Sequence, residues 1–415
     1  MRVLLVNTSE RIGGAAIAAS RLMDALNRQG VEARMLVRDK QSEQATTLIM
    51  PRRLRLRWAF VWERVCIWAA NGFSRRNLWA VDIANAGTDI TLLPAFREAD
   101  VVHLHWVNQG LLSTAQLSKI LRSGKPVVWT MHDMWPFTGI CHHARECEHF
   151  QSHCHDCPQL LRPARHDLSY QTFERKRRAY TLSPIAFVAC SEWLATEARR
   201  GALLNGQLIT TIPNTYDAQR FHPASKTAAC RQLGLPEHGR LLLFACQKVT
   251  NVRKGIDVLM EALASPRLRV WQGQLTLVVV GEMAERVTRD VPFAVHPMGY
   301  VSDEAQMAAL YQAVDAFVTP SLEENLPNTI MEAMACGTPC VGFRVGGIPE
   351  MIDHRVNGYV ACYRDADDLA AGINYVLCDD NRRLSEAAAE KAACTWNENT
   401  VVQKYINLYK SLLDK

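Results

Sequence analysis

Two successive α/β units, each a mostly parallel sheet covered by helices, are the fold that this sequence predicts. Three observations carry the prediction. The chain has 415 residues, too many for one comfortable core and enough for two domains of roughly 150–220 residues. Short β-branched or apolar runs alternate with longer helical patterns, which is the rhythm of βαβ units. That rhythm pauses at Ile212-Pro213-Asn214-Thr215-Tyr216-Asp217, where proline, asparagine and polar residues suit a linker, and then restarts.

In the first unit, residues 3–6 read as a strand and 15–28 as a helix stopped by Gly30. Residues 31–37 read as the next strand. Residues 100–104 form a strand ending in His103, His105 and Trp106, followed by a helix over 112–121. The strand 126–130 ends at Met131-His132-Asp133, and the strand 185–189 leads through Ser191-Glu192-Trp193 into a helix. In the second unit the predicted strands are 241–245, 275–280, 316–318 and 340–343. The predicted helices are 256–263, 303–311, 329–335 and 366–377. Ligands of such sheets sit at the carboxyl ends of the strands. Residues 396–413 are apolar-periodic at Val401, Val402, Tyr405, Ile406, Leu408 and Tyr409, a helix that needs a surface to cover.

Hydrophobic residues make up 48% and charged residues 21%, which fits a globular enzyme and excludes a disordered chain. The net charge of +5 suits an anionic partner, either a nucleotide diphosphate or an acidic bilayer surface. No stretch reaches about 18 uncharged apolar residues, so no membrane span is expected. The first seven residues turn polar too soon for a signal peptide. The 13 cysteines are scattered and odd in number, which favours reduced thiols over a disulfide scaffold. A cytoplasmic protein is expected, at the inner face of the plasma membrane.

The run from Ser321 to Pro339 is the most informative stretch. Glu324 and Glu332 stand eight residues apart around a loop-to-helix junction. Such a junction can hold a diphosphate at its helix N-terminus, near Pro327-Asn328, and sugar and ribose hydroxyls at its carboxylates. Lys254, with Arg253 or Lys248, can supply cations for the leaving diphosphate. Lys254 also reads as an ordinary solvated residue, and Glu332 as a surface carboxylate. Glu323 reads as a structural or solvent-facing neighbour and not as a second catalytic carboxylate. Gly13 and Gly14 allow close approach of the first loop to a ligand or form a plain tight turn. Their surroundings lack the spacing of a dinucleotide fingerprint and the lysine of an ATPase phosphate loop, so no redox cofactor is expected.

Several motifs then fall in one order. They are Gly13-Gly14, Ile212-Pro213-Asn214, Lys254-Gly255-Ile256-Asp257, the Glu324-to-Glu332 run with Ala333-Met334-Ala335-Cys336-Gly337-Thr338-Pro339, and Val345-Gly346-Gly347-Ile348-Pro349-Glu350. Together they resemble the retaining glycosyltransferases called family 4. Trp129-Thr130-Met131-His132-Asp133-Met134-Trp135 and the cysteines after it resemble polysaccharide-biosynthesis members such as the colanic-acid glycosyltransferases. The resemblance implies a GT-B architecture, two Rossmann-like domains facing a central cleft. Residues 1–215 would be the acceptor domain with an insertion at 141–157, residues 216–395 the donor domain, and 396–415 a helix crossing back to the first domain.

The resemblance also implies roles. Glu324 would touch the transferred sugar, Glu332 would grip the nucleotide ribose, and His132 would hydrogen-bond sugar hydroxyls or the reacting sugar. His132 also reads as a structural histidine, with His103 and His105 weaker candidates and Trp106 a stacking surface. Lys254 joins His132 and Glu324 as a catalytic candidate. Gly13, Gly14, Lys248, Arg253, Asn325, Leu326, Pro327, Asn328 and Thr329 join Glu332 around a UDP- or GDP-sugar. The acceptor proton would pass to the donor phosphate, so no hydrolase carboxylate pair is implied. The chain departs from the family at three points. Asn325-Leu326-Pro327 replaces Gly-Phe-Gly, the strand-end arginine has no match beyond Lys248 or Arg253, and Thr215 replaces a glycine.

Cys141, Cys147, Cys154 and Cys157 cluster among five histidines. The two-residue gap of Cys154-His155-Asp156-Cys157 suits a tetrahedral structural zinc. An unmetallated packing cluster and an iron–sulfur or redox role stay open beside it. Arg52, Arg53, Arg55, Arg57, Trp58, Phe60, Trp62, Arg64, Ile67 and Trp68, extended by Arg75 and Arg76, form a basic, aromatic element. It suits contact with an anionic bilayer or packing on its own sheet with a solvated basic face. Arg175-Lys176-Arg177-Arg178 reads as a solvated helix face. No module for nucleic acid accompanies these charges. The expected function is retaining transfer from a UDP- or GDP-sugar to a saccharide acceptor, lipid-linked, in exopolysaccharide or lipopolysaccharide synthesis. The alternatives are a nucleotide-sugar epimerase or hydrolase of the same architecture, and a non-catalytic saccharide-binding or scaffold protein.

Overall fold

The computed structural model describes residues 1–51, 53–289, 291–378 and 381–414; Arg52 of the basic element lies outside them. The chain divides into two units, one made of Met1–Asn214 with Val401–Lys415 and the other of Thr215–Thr400.

The first unit is built on seven strands: β1 (Arg2–Ser9), β2 (Glu32–Asp39), β3 (Thr47–Ile49), β4 (Val101–Leu104), β5 (Val127–Met131), β6 (Ala186–Ala189) and β7 (Leu208–Thr211). They pair in parallel in the order β3-β2-β1-β4-β5-β6-β7. Parallel central strands are covered on both faces and read as continuous apolar runs, and β4, β5 and β6 are buried throughout. Successive side chains of a strand point to opposite faces. Leu4 and Val6 accordingly join one apolar cluster with Trp129 and Phe187, while Val3 and Leu5 join another with Val128 and Val188. The helix Glu398–Leu413 covers that second face with Val401, Val402, Tyr405, Ile406 and Tyr409. Two of its hydroxyls reach the sheet, Tyr405 at 2.9 Å from Thr130 Oγ1 and Tyr409 at 2.7 Å from His103 Nδ1.

The second unit has β8 (Arg240–Lys248), β9 (Leu275–Glu282), β10 (Ala294–Gly299), β11 (Ala316–Thr319), β12 (Cys340–Phe343) and β13 (Gly358–Ala361). The order is β10-β9-β8-β11-β12-β13, again parallel. Its core gathers Phe244, Val279, Val318 and Phe343 under helices that include Ile256–Leu263 and Ala366–Cys378. In each sheet the strand order reverses beside the unit's first strand, between β1 and β4 and between β8 and β11. Both units are Rossmann-like in the sense of the GT-B class, and loops at such reversals bind ligands.

Two local readings are corrected. Lys176 is no solvated residue: on the helix Leu168–Tyr180 it is fully buried, donating to the Trp135 carbonyl at 2.5 Å and the Thr138 carbonyl at 3.0 Å. A buried ammonium persists only with such acceptors; Arg177 and Arg178 on the same helix are exposed. The strands β3, β7, β10 and β13, unforeseen from the sequence, occupy the four sheet edges.

Candidate active site

In the second unit, the loops that follow β8 and β11 meet at the sheet's reversal. After β8 the chain makes a tight turn, Val252–Lys254, whose first residue follows Asn251; the Asn251 side chain accepts from Arg253 N at 3.2 Å. Gly255 ends the turn at φ +68°, and a Cβ there would lie 1.9 Å from the Pro320 carbonyl oxygen. Only glycine meets both conditions. Leu322 N donates to the Arg253 carbonyl at 2.8 Å, closing the two loops on each other.

This closure brings Lys254 Nζ onto Glu324 Oε1 in an ion pair that leaves the lysine about one-third exposed. Arg253 lies 3.9 Å from Glu323, so Glu323 faces a cation. Lys248 ends β8 with its side chain exposed, in register with Glu282. Asn325, Leu326 and Pro327 are buried and give the loop its shape, while Asn328 and Thr329 are half-buried. A third loop supports them. Gly347 N donates to the Asn325 carbonyl at 2.8 Å, and a Cβ on Gly346 would lie 1.8 Å from the Glu324 carbonyl oxygen.

The helix Asn328–Ala335 starts after Pro327 without a side-chain cap. Uncapped N-terminal N–H groups and the positive end of the helix suit an anion. Glu332, one turn further on, is buried, and the Tyr311 hydroxyl donates to its Oε2 at 3.2 Å. Burial and the neighbouring Glu332 raise the Tyr311 pKa well above its ordinary value, so the phenol stays a donor. Tyr311 has no signal in the sequence motif; its place comes from the packing of the helix Glu304–Ala313.

In the first unit, Gly13 precedes the helix Gly14–Arg28 at φ +90°, and no atom lies within 4 Å of where its Cβ would be. The conformation suits glycine and leaves that loop open. His132 follows β5. Its Nε2 is 3.0 Å from His105 Nδ1, and its Nδ1 is 3.7 Å from Cys190 Sγ. His103 is buried between Thr130 Oγ1, at 2.8 Å, and Tyr409. Burial lowers these histidines, His103 to about 3 and His132 to about 4, so both are neutral near neutral pH.

Beside them lies a charged group that the sequence did not disclose. His142 Nδ1 meets Asp133 Oδ2 and its Nε2 meets Asp82 Oδ2, each at 2.7 Å. Burial alone would lower His142, but Asp133 and Asp82 outweigh it and push it up to about 10. Despite burial, His142 in turn holds Asp133 down at about 2. Asp133 also accepts from Trp106 Nε1 at 3.0 Å, so Trp106 is fixed by its polar edge. Asp82 also pairs with Arg64, which is buried beside Glu63.

The structure gathers the four cysteines of the expected cluster but does not show a structural zinc site. Cys141, Cys147, Cys154 and Cys157 line one small cavity. Yet no group of three or more His, Cys, Asp or Glu side chains among the described residues is placed to hold a metal ion. Cys141 and Cys154 also belong to the main apolar core with Phe137 and Phe150, and Cys157 packs among Ile67, Ile83 and Leu160. Burial pushes all three thiols up to about 12. Polar contacts also hold the insertion. Lys176 ties its start, His142 bridges to Asp82 and Asp133, and Asp167 accepts from Cys157 N at 2.8 Å.

Comparison with known proteins bears on both units. A family model described as Glycosyltransferase Family 4 matches residues 12–220, and one described as Glycosyl transferases group 1 matches residues 239–379. A D-inositol 3-phosphate glycosyltransferase of Xylanimonas cellulosilytica is 31% identical over 209 residues, 46% of this chain and 48% of that protein. An N-acetyl-alpha-D-glucosaminyl L-malate synthase of Bacillus anthracis is 25% identical over 212 residues, 49% of this chain and 54% of that protein. The chain spans about half the length of the curated relatives it matches. These relatives do not single out the colanic-acid enzymes that the sequence resembles. Among solved structures, a sucrose-phosphate synthase from Thermosynechococcus elongatus matches with TM-score 0.68 at 18% identity, covering 100% of this chain and 99% of that one. Anabaena HepE, solved in complex with UDP-glucose, matches with TM-score 0.62 at 18% identity, covering 99% of this chain and 100% of that one. At such identity these likenesses establish the shared fold.

Proposed function

The chain belongs to Glycosyltransferase Family 4, and from that premise we propose that it transfers a sugar from a nucleoside-diphosphate sugar to a hydroxyl of a saccharide acceptor, with retention at the anomeric carbon. The carrying observation is the closure of the β8 and β11 loops, which sets Lys254 on Glu324 beside an uncapped helix N-terminus. Cations and backbone N–H groups converge where a diphosphate would gather charge as it departs. The UDP-glucose complex of HepE, a protein of the same fold, supports a uridine donor.

In this reading the diphosphate takes Lys254, Arg253 and the first turn of the helix Asn328–Ala335, with Lys248 at the rim. Glu324 accepts from hydroxyls of the transferred sugar. Glu332, oriented by Tyr311, accepts from the ribose. The acceptor oxygen bonds to the anomeric carbon, the bond from that carbon to the diphosphate breaks, and the acceptor proton goes to the departing phosphate. His132 holds a sugar hydroxyl in its neutral form. The acceptor is a lipid-linked saccharide of a surface polysaccharide, a reading supported by the exposed apolar surface of the first unit described below.

Calorimetric titration with UDP, GDP, ADP and their sugar conjugates tests the donor site. One nucleotide and its sugars should bind selectively, and Lys254→Ala should weaken that binding at least tenfold while the variant stays folded. A charge-assisted contact of this kind is worth about 1.5–3 kcal/mol. Unchanged affinity and turnover in Lys254→Ala would overturn the assignment. Sugar released without any acceptor would move the reading to a hydrolase.

A further inference from the structure

The helix Arg53–Ala70 is amphipathic the wrong way round for a helix covering a core. Its buried side carries Leu56, Ala59 and Ile67 together with Glu63 and Arg64. Those two charges are satisfied beneath the helix. Glu63 Oε1 accepts from Ile83 N at 2.8 Å and Ala84 N at 2.7 Å, and Arg64 pairs with Asp82. Its outer side carries Leu54, Trp58, Val61, Trp62, Val65 and Trp68, all exposed; Leu54 and Trp58 are more than 70% exposed. At about 100° per residue these six positions fall within an arc of roughly 120°, opposite the buried side. A continuous apolar stripe facing outward needs a partner.

The charges around the stripe say which partner. Arg55 and Arg57 flank it on either side, with Arg53 at the helix start and Arg75 and Arg76 just beyond the end, all exposed. The only carboxylate between residues 49 and 80 is Glu63, which is buried. Among the described residues no ion pair engages those five arginines. A second copy docking through this face would set arginine against arginine. An anionic lipid surface fits instead. Tryptophan favours the headgroup level of a bilayer, and arginine stems lie along apolar surface while their heads reach phosphate. Among the described residues no helix is long and apolar enough to cross a membrane, so the helix would lie in the interface plane, as outward-facing apolar stripes with basic flanks do.

We propose that the outer face of the helix Arg53–Ala70 is a docking surface for an anionic bilayer, with Trp58, Trp62 and Trp68 inserted at headgroup depth and Arg53, Arg55 and Arg57 on lipid phosphates. The inference goes beyond the transfer reading and does not depend on it, because the test requires no nucleotide sugar. Vesicle co-sedimentation of the full chain should show binding to mixed phosphatidylcholine–phosphatidylglycerol vesicles, little binding to phosphatidylcholine alone, and weakening with added salt. Replacing all three of Arg53, Arg55 and Arg57 by serine should lower binding by on the order of 100-fold. The pair Trp58→Ser and Trp62→Ser should cut the quenching of tryptophan fluorescence by brominated lipid to what Trp68 alone gives. Both substitutions lie on the exposed face, and an unchanged thermal midpoint verifies folding. Equal binding to neutral and anionic vesicles, no binding to either, or full binding by the arginine variant would overturn the proposal. Self-association that disappears in the tryptophan pair would assign the face to a second copy and overturn it as well.

Discussion

His142 holds its proton between Asp82 and Asp133, and this single ring shapes how the first unit answers to pH. Its folded pKa is raised to about 10 from an ordinary 6.5. A raised histidine adds stability that is fully present below pH 6.5 and is lost as pH climbs through 10. His103 and His132 act in the opposite sense. Buried neutral, with pKa values lowered to about 3 and about 4, they favour the folded state above pH 6.5 and lose that contribution as pH falls toward those values. Urea unfolding across pH should therefore show declines on both sides of neutrality. In His142→Ala the alkaline decline should flatten while the acid decline remains. The substitution should also cost about 3–5 kcal/mol at neutral pH, because two carboxylates lose a buried cation. An alkaline limb identical to that of the parent protein would sink this account. Tyr311→Phe tests the other unit. Loss of one hydrogen bond to a buried carboxylate should cost about 1–3 kcal/mol and weaken nucleotide binding in the same variant. Neither Asp82 nor Tyr311 is visible in the sequence, for the same reason. Asp82 is 60 residues from its partner His142, and Tyr311 is 21 from Glu332. No local pattern joins them; only the packed fold does.

At the scale of elements, the central strands declare themselves and the edges do not. The strands β4, β5, β6, β8, β9, β11 and β12 read as apolar runs because both their faces are covered. The edge strands are mixed. β7 is Leu-Ile-Thr-Thr and exposed or half-buried along its length, and β10 contains a histidine and a proline. Three-residue β3 is too short for periodicity to register, and β13 opens on Gly358. The cysteine insertion is a different case. Its spacing matches a metal pattern, yet its thiols pack into apolar clusters. Zinc analysis of protein purified without chelator decides between the two readings: about one ion per chain would support a structural zinc, and well under one would support an unmetallated packing cluster. The loops of the candidate site yield a sharper expectation. In Gly255→Ala the new methyl would meet the Pro320 carbonyl oxygen at 1.9 Å in a left-handed backbone. This should destabilise the second unit by more than about 2 kcal/mol and abolish nucleotide binding even where the variant folds. Intact titration behaviour would show that the two loops need not close as they do here. The motif around Glu324 and Glu332 stood out in the sequence because loop and helix are contiguous there. Contact of that loop with Lys254, 70 residues earlier, is the work of strand order.

For the whole molecule, the informative fact is that one unit is continuous and the other is not. The first unit consists of Met1–Asn214 and Val401–Lys415, with Thr215–Thr400 between them forming the second. The returning helix buries Val401, Val402, Tyr405, Ile406 and Tyr409 on the sheet. Fully burying such side chains contributes about 1.5–3 kcal/mol each, a sum comparable with the whole stability of a domain. Deleting residues 401–414 should therefore leave the first unit unfolded, with hydrogen exchange in its strands at the rate of an open chain. Strands of the second unit should keep their protection. Protected β4 and β5 in the truncated protein would show that the helix is dispensable. The same discontinuity sets an order of events during synthesis. A ribosome adds about 5–20 residues per second, so the stretch that builds the second unit takes roughly 10–40 s to emerge. Throughout that interval the part of the nascent first sheet that Tyr405 and Tyr409 reach, around Thr130 and His103, lacks its partner. The later-made unit can complete itself first, and the earlier one must wait as an exposed, aggregation-prone surface, which makes it the natural client of a chaperone on the ribosome.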